Sequence, residues 1–231
     1  MPTAHTDATY ERELARLRQA VLLMGAKAEE LVGRGLRAFA TRDDHLARAA
    51  IELDRPIDQL EIAIDELALA ILARRQPVAG DLRFIAAVLK IVTDLERVGD
   101  LAVNTCERVI ELARDPDRGP MPDPVRGDLL ALGDAVVGML HDALDAFVRG
   151  DVDLARDVLA RDPGVDRRFS AIFEALVTKM MADPADVARA TRLQSLARYL
   201  ERIADHATNV AEMVVFMVKG KDVRHAPHDA G

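Results

Sequence analysis

Leu95-Glu96-Arg97-Val98-Gly99-Asp100 returns 105 residues later as Leu200-Glu201-Arg202-Ile203-Ala204-Asp205, and Asn104 returns as Asn209 at the same spacing. Asp54-x-x-x-Asp58 returns as Asp162-x-x-x-Asp166 at a spacing of 108. A tandem duplication with a small insertion between helices accounts for both spacings. The chain is therefore read as two copies of one unit, and the fold of that unit decides the architecture.

Working outward from the motif, apolar residues recur at helical spacing in every long segment. In the first, from about Tyr10 to Thr41, they are Leu14, Leu17, Val21, Met24, Ala28 and Leu31, until Arg42-Asp43-Asp44 interrupts. A second segment runs from about Asp44 to Arg75 and stops at Gln76-Pro77. A third begins near Asp81, placed after Gly80 to cap it, and reaches about Arg114. Asp115 to Pro124 holds four prolines and a glycine, the clearest linker in the chain. Beyond it, segments run from about Val125 to Arg149, Asp151 to Met181 and Pro184 to Lys219, with Gly150-Asp151 and Asp183-Pro184 as breaks. Pro184 suits a first helical turn. No stretch alternates as a strand does.

Up-and-down helices joined by short loops pack as antiparallel neighbours. The expected fold is all-α, with six long helices in two tandem three-helix bundles. The first repeat spans 1–114, the linker 115–124, the second repeat 125–219 and a polar tail 220–231.

Composition agrees. Half of the 231 residues are hydrophobic but only 3% are aromatic, so the apolar bulk is the small aliphatics that pack helices closely. A formal net charge of −8 argues against nucleic acid, which needs a concentrated basic surface. One cysteine, Cys106, forms no internal disulfide and reads as a small core residue in a reducing cytoplasm. The N-terminus has no signal-peptide pattern, and no run approaches the roughly 18 apolar residues of a membrane span. Any membrane role is expected to come through a partner.

The chemistry lies in acidic stripes. Positions i, i+4, i+7 and i+11 share one narrow helix face, and in the second segment they are Asp54, Asp58, Glu61 and Asp65. The apolar stripe Leu53, Ile57, Leu60, Ile64, Leu67 and Ile71 lies beside them. In the third segment Glu96, Asp100 and Asn104 follow at i, i+4 and i+8. Acidic residues on a wet face are ordinarily just solvated. Like charges one turn apart, however, destabilise a helix by about 0.2–0.5 kcal/mol per pair, so a stripe without interleaved Lys points to a compensating cation. All-oxygen ligands suit Mg²⁺, Ca²⁺, Mn²⁺ or Fe³⁺.

Two other readings stay open. A carboxylate-bridged metalloenzyme on a helical scaffold would need Glu-x-x-His on inward faces, and none of the six His completes one; His206 simply follows Asp205. A metal-free helical adaptor would use the stripes to dock basic patches of partners. No P-loop, nucleophile elbow or glycine-rich phosphate cradle is present.

These residues resemble the PhoU family, the accessory regulators of high-affinity phosphate transport. The likeness is carried by Ala73-Arg74-Arg75-Gln76-Pro77-Val78-Ala79-Gly80-Asp81-Leu82-Arg83, by Asp94 to Asp100, by Met139-Leu140-His141-Asp142 through Ala146-Phe147, by Glu201 to Asp205, and by Val218 to His225. The resemblance implies two three-helix bundles, a tendency to homodimerise, and metal at the acidic motifs: iron, or Mn, Mg or Zn. Carried over, the first site would use Asp54, Asp58, Glu96, Asp100 and Asn104, with Glu61 and Asp65 as added ligands. The second would use Asp162, Asp166, Glu201, Asp205 and Asn209. Where the first repeat has Glu61 and Asp65, the second has Phe169 and Phe173, so weaker metal binding is expected there. Pro56 and Pro163-Gly164 fall inside the aspartate pairs and are expected to splay them. The family further implies a non-enzymatic negative regulator in the cytoplasm, one that links the transporter's ATP-binding subunit to a membrane sensor histidine kinase and keeps the phosphate-starvation response off.

Smaller features complete the reading. Arg74 and Arg75 complement the end of their helix. His141, with Asp142 and Asp145, reads as a surface or interface histidine. Met180-Met181 and Met213-Val214-Val215-Phe216-Met217 read as core or dimer packing.

Overall fold

The computed structural model describes residues 4–77, 79–114 and 123–220. It contains α1 (Ala4–Thr41), α2 (Asp44–Ile51), α3 (Asp54–Arg75), α4 (Ala79–Ala113), α5 (Asp123–Arg149), α6 (Val152–Ala182) and α7 (Val187–Lys219), with a 3₁₀ turn at Pro184–Asp186 before α7. Among the described residues there is no strand. The predicted all-α architecture of two tandem three-helix bundles stands. Residues 115–122 of the expected linker and 221–231 of the expected tail lie outside the described residues.

Local chemistry sets the ends. Asp43 caps α2, its carboxylate accepting from the Leu46 amide at 2.9 Å. Asp151 caps α6 by accepting from the amides of Asp153 and Leu154. Gly150 and Gly220 take the left-handed conformation that closes α5 and α7.

Three details depart from the sequence reading. The second predicted helix is broken at Glu52-Leu53 into α2 and α3, the Leu53 amide turning back to the Ala50 carbonyl at 2.9 Å. Pro56 therefore sits in the first turn of α3, where no amide is needed, and does not kink a helix interior. Pro163 does lie inside a helix, and α6 continues through it. Finally, α4 begins two residues before Asp81, so Asp81 is not its cap. Its carboxylate accepts instead from the Tyr10 hydroxyl at 2.9 Å, and burial with that bond pushes the phenol up to about 12.

One hydrophobic core runs through both bundles. Its joint is symmetric. A Cβ on Gly25 of α1 would lie 2.5 Å from Leu144 of α5, and a Cβ on Gly133 of α5 would run into Leu36 of α1. Gly25 and Gly133 are 108 residues apart, as are Leu36 and Leu144. The two repeats thus exchange the same leucine for the same glycine gap, as two subunits do across a twofold axis. α1 and α5 run antiparallel, and so do α4 and α7, where Arg192 meets Glu111 at 3.2 Å while His206 meets Asp94 at 2.8 Å.

Smaller expectations resolve here as well. Cys106 is fully buried against Gly35, and burial pushes its thiol up to about 12, which suits a core residue. Met213, Val214 and Val215 are core, but Met181 is 82% exposed and packs in no core. α6 ends at Ala182 and leaves that side chain outside the bundle.

Candidate functional site

The break before α3 starts that helix at Asp54, and the core residues Ile57, Ile64, Ala68 and Ile71 fix its rotation. That rotation sets Asp54, Asp58, Glu61 and Asp65 along the α3 margin. Glu96 and Asp100 meet them from α4. Asp54 approaches α4 closely: its Oδ1 would lie 3.0 Å from a Cβ on Gly99. Glycine at 99 lets the carboxylate sit against the α4 backbone.

The electrostatics show that these groups feel one another. Loss of hydration, then the charges of Asp58 and Asp100, raise Asp54 to about 6. Partial burial also raises Glu61, reinforced by Asp65, Asp58 and Asp100 against the pull of Arg97. Glu96 is raised in the same way, by burial first and then Asp100, with Glu61 and Asp58 adding to it and Arg97 opposing. Asp65 is raised by burial. Arg97 is a cation woven into the group, 3.4 Å from Glu96 and 3.2 Å from Asp100. Asn104 stands one turn beyond Asp100, at the margin of the group.

The second repeat brings together Asp162 and Asp166 of α6 with Glu201 and Asp205 of α7. Asp205 is raised to about 6 by lost hydration and by Glu201, Asp162 and Asp166, with His206 opposing. Glu201 takes Arg198 at 3.3 Å on one oxygen, while its buried Oε2 has no hydrogen-bond partner. Asn209 is drawn elsewhere: its amide donates to Asp94 across the joint at 2.9 Å, on the oxygen that His206 also reaches. Sequence reasoning passed over His206 and Asp94, because a contact between repeats leaves no local spacing to read. Phe169, in the place of Glu61, lies under the Arg198 guanidinium at 4.6 Å.

Carboxylates in this density are chemically suited to a hard cation, and among the described residues no donor reaches the buried Glu201 Oε2. The fit is of composition more than of geometry. Among the described residues no three His, Cys, Asp or Glu side chains already stand as a metal-binding group. A cation would have to draw the side chains together by rotation.

A second feature was not anticipated. At one end of the molecule a groove of about 560 Å³ is lined by Leu14, Arg18, Phe84, Phe147, Arg149 and Met217, among others. Phe84 and Phe147 stack at 6.1 Å, and Arg18 lies 5.1 Å over Phe84. Residues from three stretches that carried the family resemblance line it: Gly80 and Asp81, Phe147, and Val218 at the end of α7. Nearby, Arg75 and Arg74 reach Glu13 of α1 at 2.9 and 3.5 Å. Their role is to tie the end of α3 to α1. His141 meets Glu29 of α1 at 3.2 Å, placing it at the joint between repeats.

An all-helical scaffold built of two copies of one unit, with an acidic margin on each copy, defines the class: a duplicated helical-bundle protein. The model of the PhoU domain matches residues 21–109 and again 129–214, and the chain belongs to the PhoU family. The phosphate-specific transport system accessory protein PhoU homolog of Pseudomonas putida is 42% identical over 225 residues, covering 96% of this chain and 86% of that protein. The phosphate-specific transport system accessory protein PhoU of Escherichia coli (strain K12) is 35% identical over 225 residues, covering 97% and 91%. The crystal structure of PhoU from Pseudomonas aeruginosa superposes with a TM-score of 0.88 at 40% identity, over 92% of this chain and all of that one. That of the phosphate transport system regulatory protein PhoU from Streptococcus pneumoniae gives 0.84 at 27%, over 93% and 99%. Among the described residues no helix is long and apolar enough to cross a membrane.

Proposed function

We propose that this protein is an accessory regulator of phosphate transport that represses the phosphate-starvation response. It acts in the cytoplasm as a homodimer, through contacts with the ATP-binding subunit of the phosphate transporter and with a phosphate-sensing histidine kinase. The observation that supports this most is the likeness to phosphate transport accessory proteins over 96–97% of the chain, across both repeats. Such a role is one of binding and signalling and asks for no catalytic residue.

The acidic margins are read as metal sites, held in the first repeat by Asp54, Asp58, Glu61, Asp65, Glu96 and Asp100 and in the second by Asp162, Asp166, Glu201 and Asp205. Iron, Mn, Mg or Zn would supply positive charge that relieves carboxylate repulsion. Asn104 and Asn209 are the weakest members of the proposed sets, since Asn209 is held by Asp94.

Deletion of the gene in its own host, read with a phosphate-starvation-responsive reporter in phosphate-replete medium, tests the regulatory reading. The reporter is expected to turn on and to fall silent again when the wild-type gene is restored. A reporter that stays silent in the deletion sinks it. A metal-free adaptor is a second reading, in which the acidic margins dock basic patches of partners. Glu96→Gln with Asp100→Asn separates the two: loss of metal with partner binding intact supports sites, and loss of partner without any metal supports docking.

A further inference from the structure

Just outside the acidic margin of α3, on its solvent side, Ile62 and Leu69 are 60% and 58% exposed. A single exposed aliphatic needs no explanation. These two are seven residues apart, hence two turns along the same edge, with Asp58 one turn before Ile62 and Asp65 one turn before Leu69. From Asp54 to Leu69 the helix carries five acidic residues and one basic residue, Arg55. The result is a short aliphatic ridge bordered by carboxylates along one side. The second repeat does not repeat it: 108 residues on, Ile62 and Leu69 become Ser170 and Val177.

The surroundings narrow what covers such a ridge. An anionic membrane surface would be repelled by the carboxylates. A second copy would bring a net charge of −8 and, on its own repeats, the same acidic margins. A helix with apolar residues flanked by Lys or Arg satisfies both halves of the surface at once, setting its apolar side on Ile62 and Leu69 and its cations on Asp58 and Asp65. We propose that this edge of α3 docks a basic, amphipathic helical segment of a partner protein. The choice of partners to test rests on the regulatory reading above; the surface itself rests on the exposed ridge and its charged border.

The test uses the full-length protein in buffer containing EDTA, so that metal at Asp58 or Asp65 does not enter. Binding to the purified ATP-binding subunit and to the purified cytoplasmic part of the sensor kinase from the same host is measured at low and high salt. Ile62→Ser with Leu69→Ser is expected to weaken binding of one of them at least tenfold, with the melting temperature unchanged. Asp58→Asn with Asp65→Asn is expected to weaken it similarly and to flatten its salt dependence. Phe173→Ser, which stands in the second repeat where the first has Asp65 and is 40% exposed, is expected to leave binding alone. Undiminished binding by the Ile62/Leu69 variant overturns the surface and leaves the regulatory reading standing. Failure of the wild-type protein to bind either partner overturns both.

Discussion

The two repeats are alike where they touch and unlike where they face water. At the joint, Gly25 and Leu36 of the first copy answer Gly133 and Leu144 of the second, position for position. On the outer margins, Glu61 and Asp65 become Phe169 and Phe173, Gly99 becomes Ala204, and the exposed Ile62 becomes Ser170. Packing explains the first half of this contrast. A buried interface is close-packed, and two sides that fit through the same positions cannot change singly without a clash or a void. The outer margin carries no such restraint, so one copy keeps six carboxylates while the other keeps four and has phenylalanine in place of the remaining two. Equal scaffolds thus carry unequal surfaces.

The largest test of this contrast is at the joint. Leu36→Ala and Leu144→Ala remove side chains that are 6% and 7% exposed, so each is expected to cost about 2–5 kcal/mol by urea unfolding. Because the sites are equivalent and both meet a glycine gap, the two costs should be of similar size within that range. A large mismatch would mean that the symmetry is only in the backbone.

The outer margins should respond unequally. In a Mn²⁺ titration, Glu96→Gln with Asp100→Asn is expected to weaken the tighter class of site by at least about tenfold, or ~1.4 kcal/mol. The matching pair in the second repeat, Glu201→Gln with Asp205→Asn, should affect only a weaker class. Equal losses would abolish the asymmetry, and a wild-type protein that takes up no Mn²⁺ would remove metal from the account altogether.

A subtler handle is Gly99→Ala, which gives the first repeat the residue that the second has as Ala204. The new Cβ would stand 3.0 Å from Asp54 Oδ1 and push that carboxylate off the α4 backbone. A several-fold loss of metal affinity is expected by equilibrium dialysis. Stability should hardly move, since a helix-propensity gain of about 1 kcal/mol offsets the crowding. Unchanged affinity would show that the position of Asp54 against α4 is incidental.

What the sequence made legible follows from what is local. Helical spacing, the Gly150-Asp151 break and the duplicated Leu-Glu-Arg motif are near-neighbour signals, and they gave the helices and the carboxylates that share a helix face. The break at Glu52-Leu53 was not legible, because the segment is helix-forming on both sides and only a single tightened turn separates α2 from α3. Asp81 was misassigned because its partner, Tyr10, lies 71 residues away. The same holds for Asp94, His206 and Asn209, whose contact spans the joint. The groove floored by Phe84 and Phe147 needs four helix ends in register, which no spacing within one helix records.

The smallest expected effect concerns protons, and its sign follows from burial. Asp54 is raised from 3.8 to about 6 in the folded protein, so between those values the folded state holds a proton that the unfolded chain has lost. Its contribution to stability is fully present below about 3.8 and is lost as pH rises through about 6. Asp54→Asn removes the charge at every pH. The variant should therefore gain on the wild type at pH ~7.5, and the gap should narrow as pH falls through ~6 and close toward pH ~4, in urea unfolding at matched ionic strength. Asp205→Asn should follow the same direction with a similar gap, because lost hydration and its acidic neighbours raise Asp205 from 3.8 to about 6 as well. A gap at Asp54 that stays constant with pH would mean that its carboxylate is solvated in the folded protein. The crowding of the first margin would then reflect only where its side chains happen to lie, and it would no longer argue for a cation there.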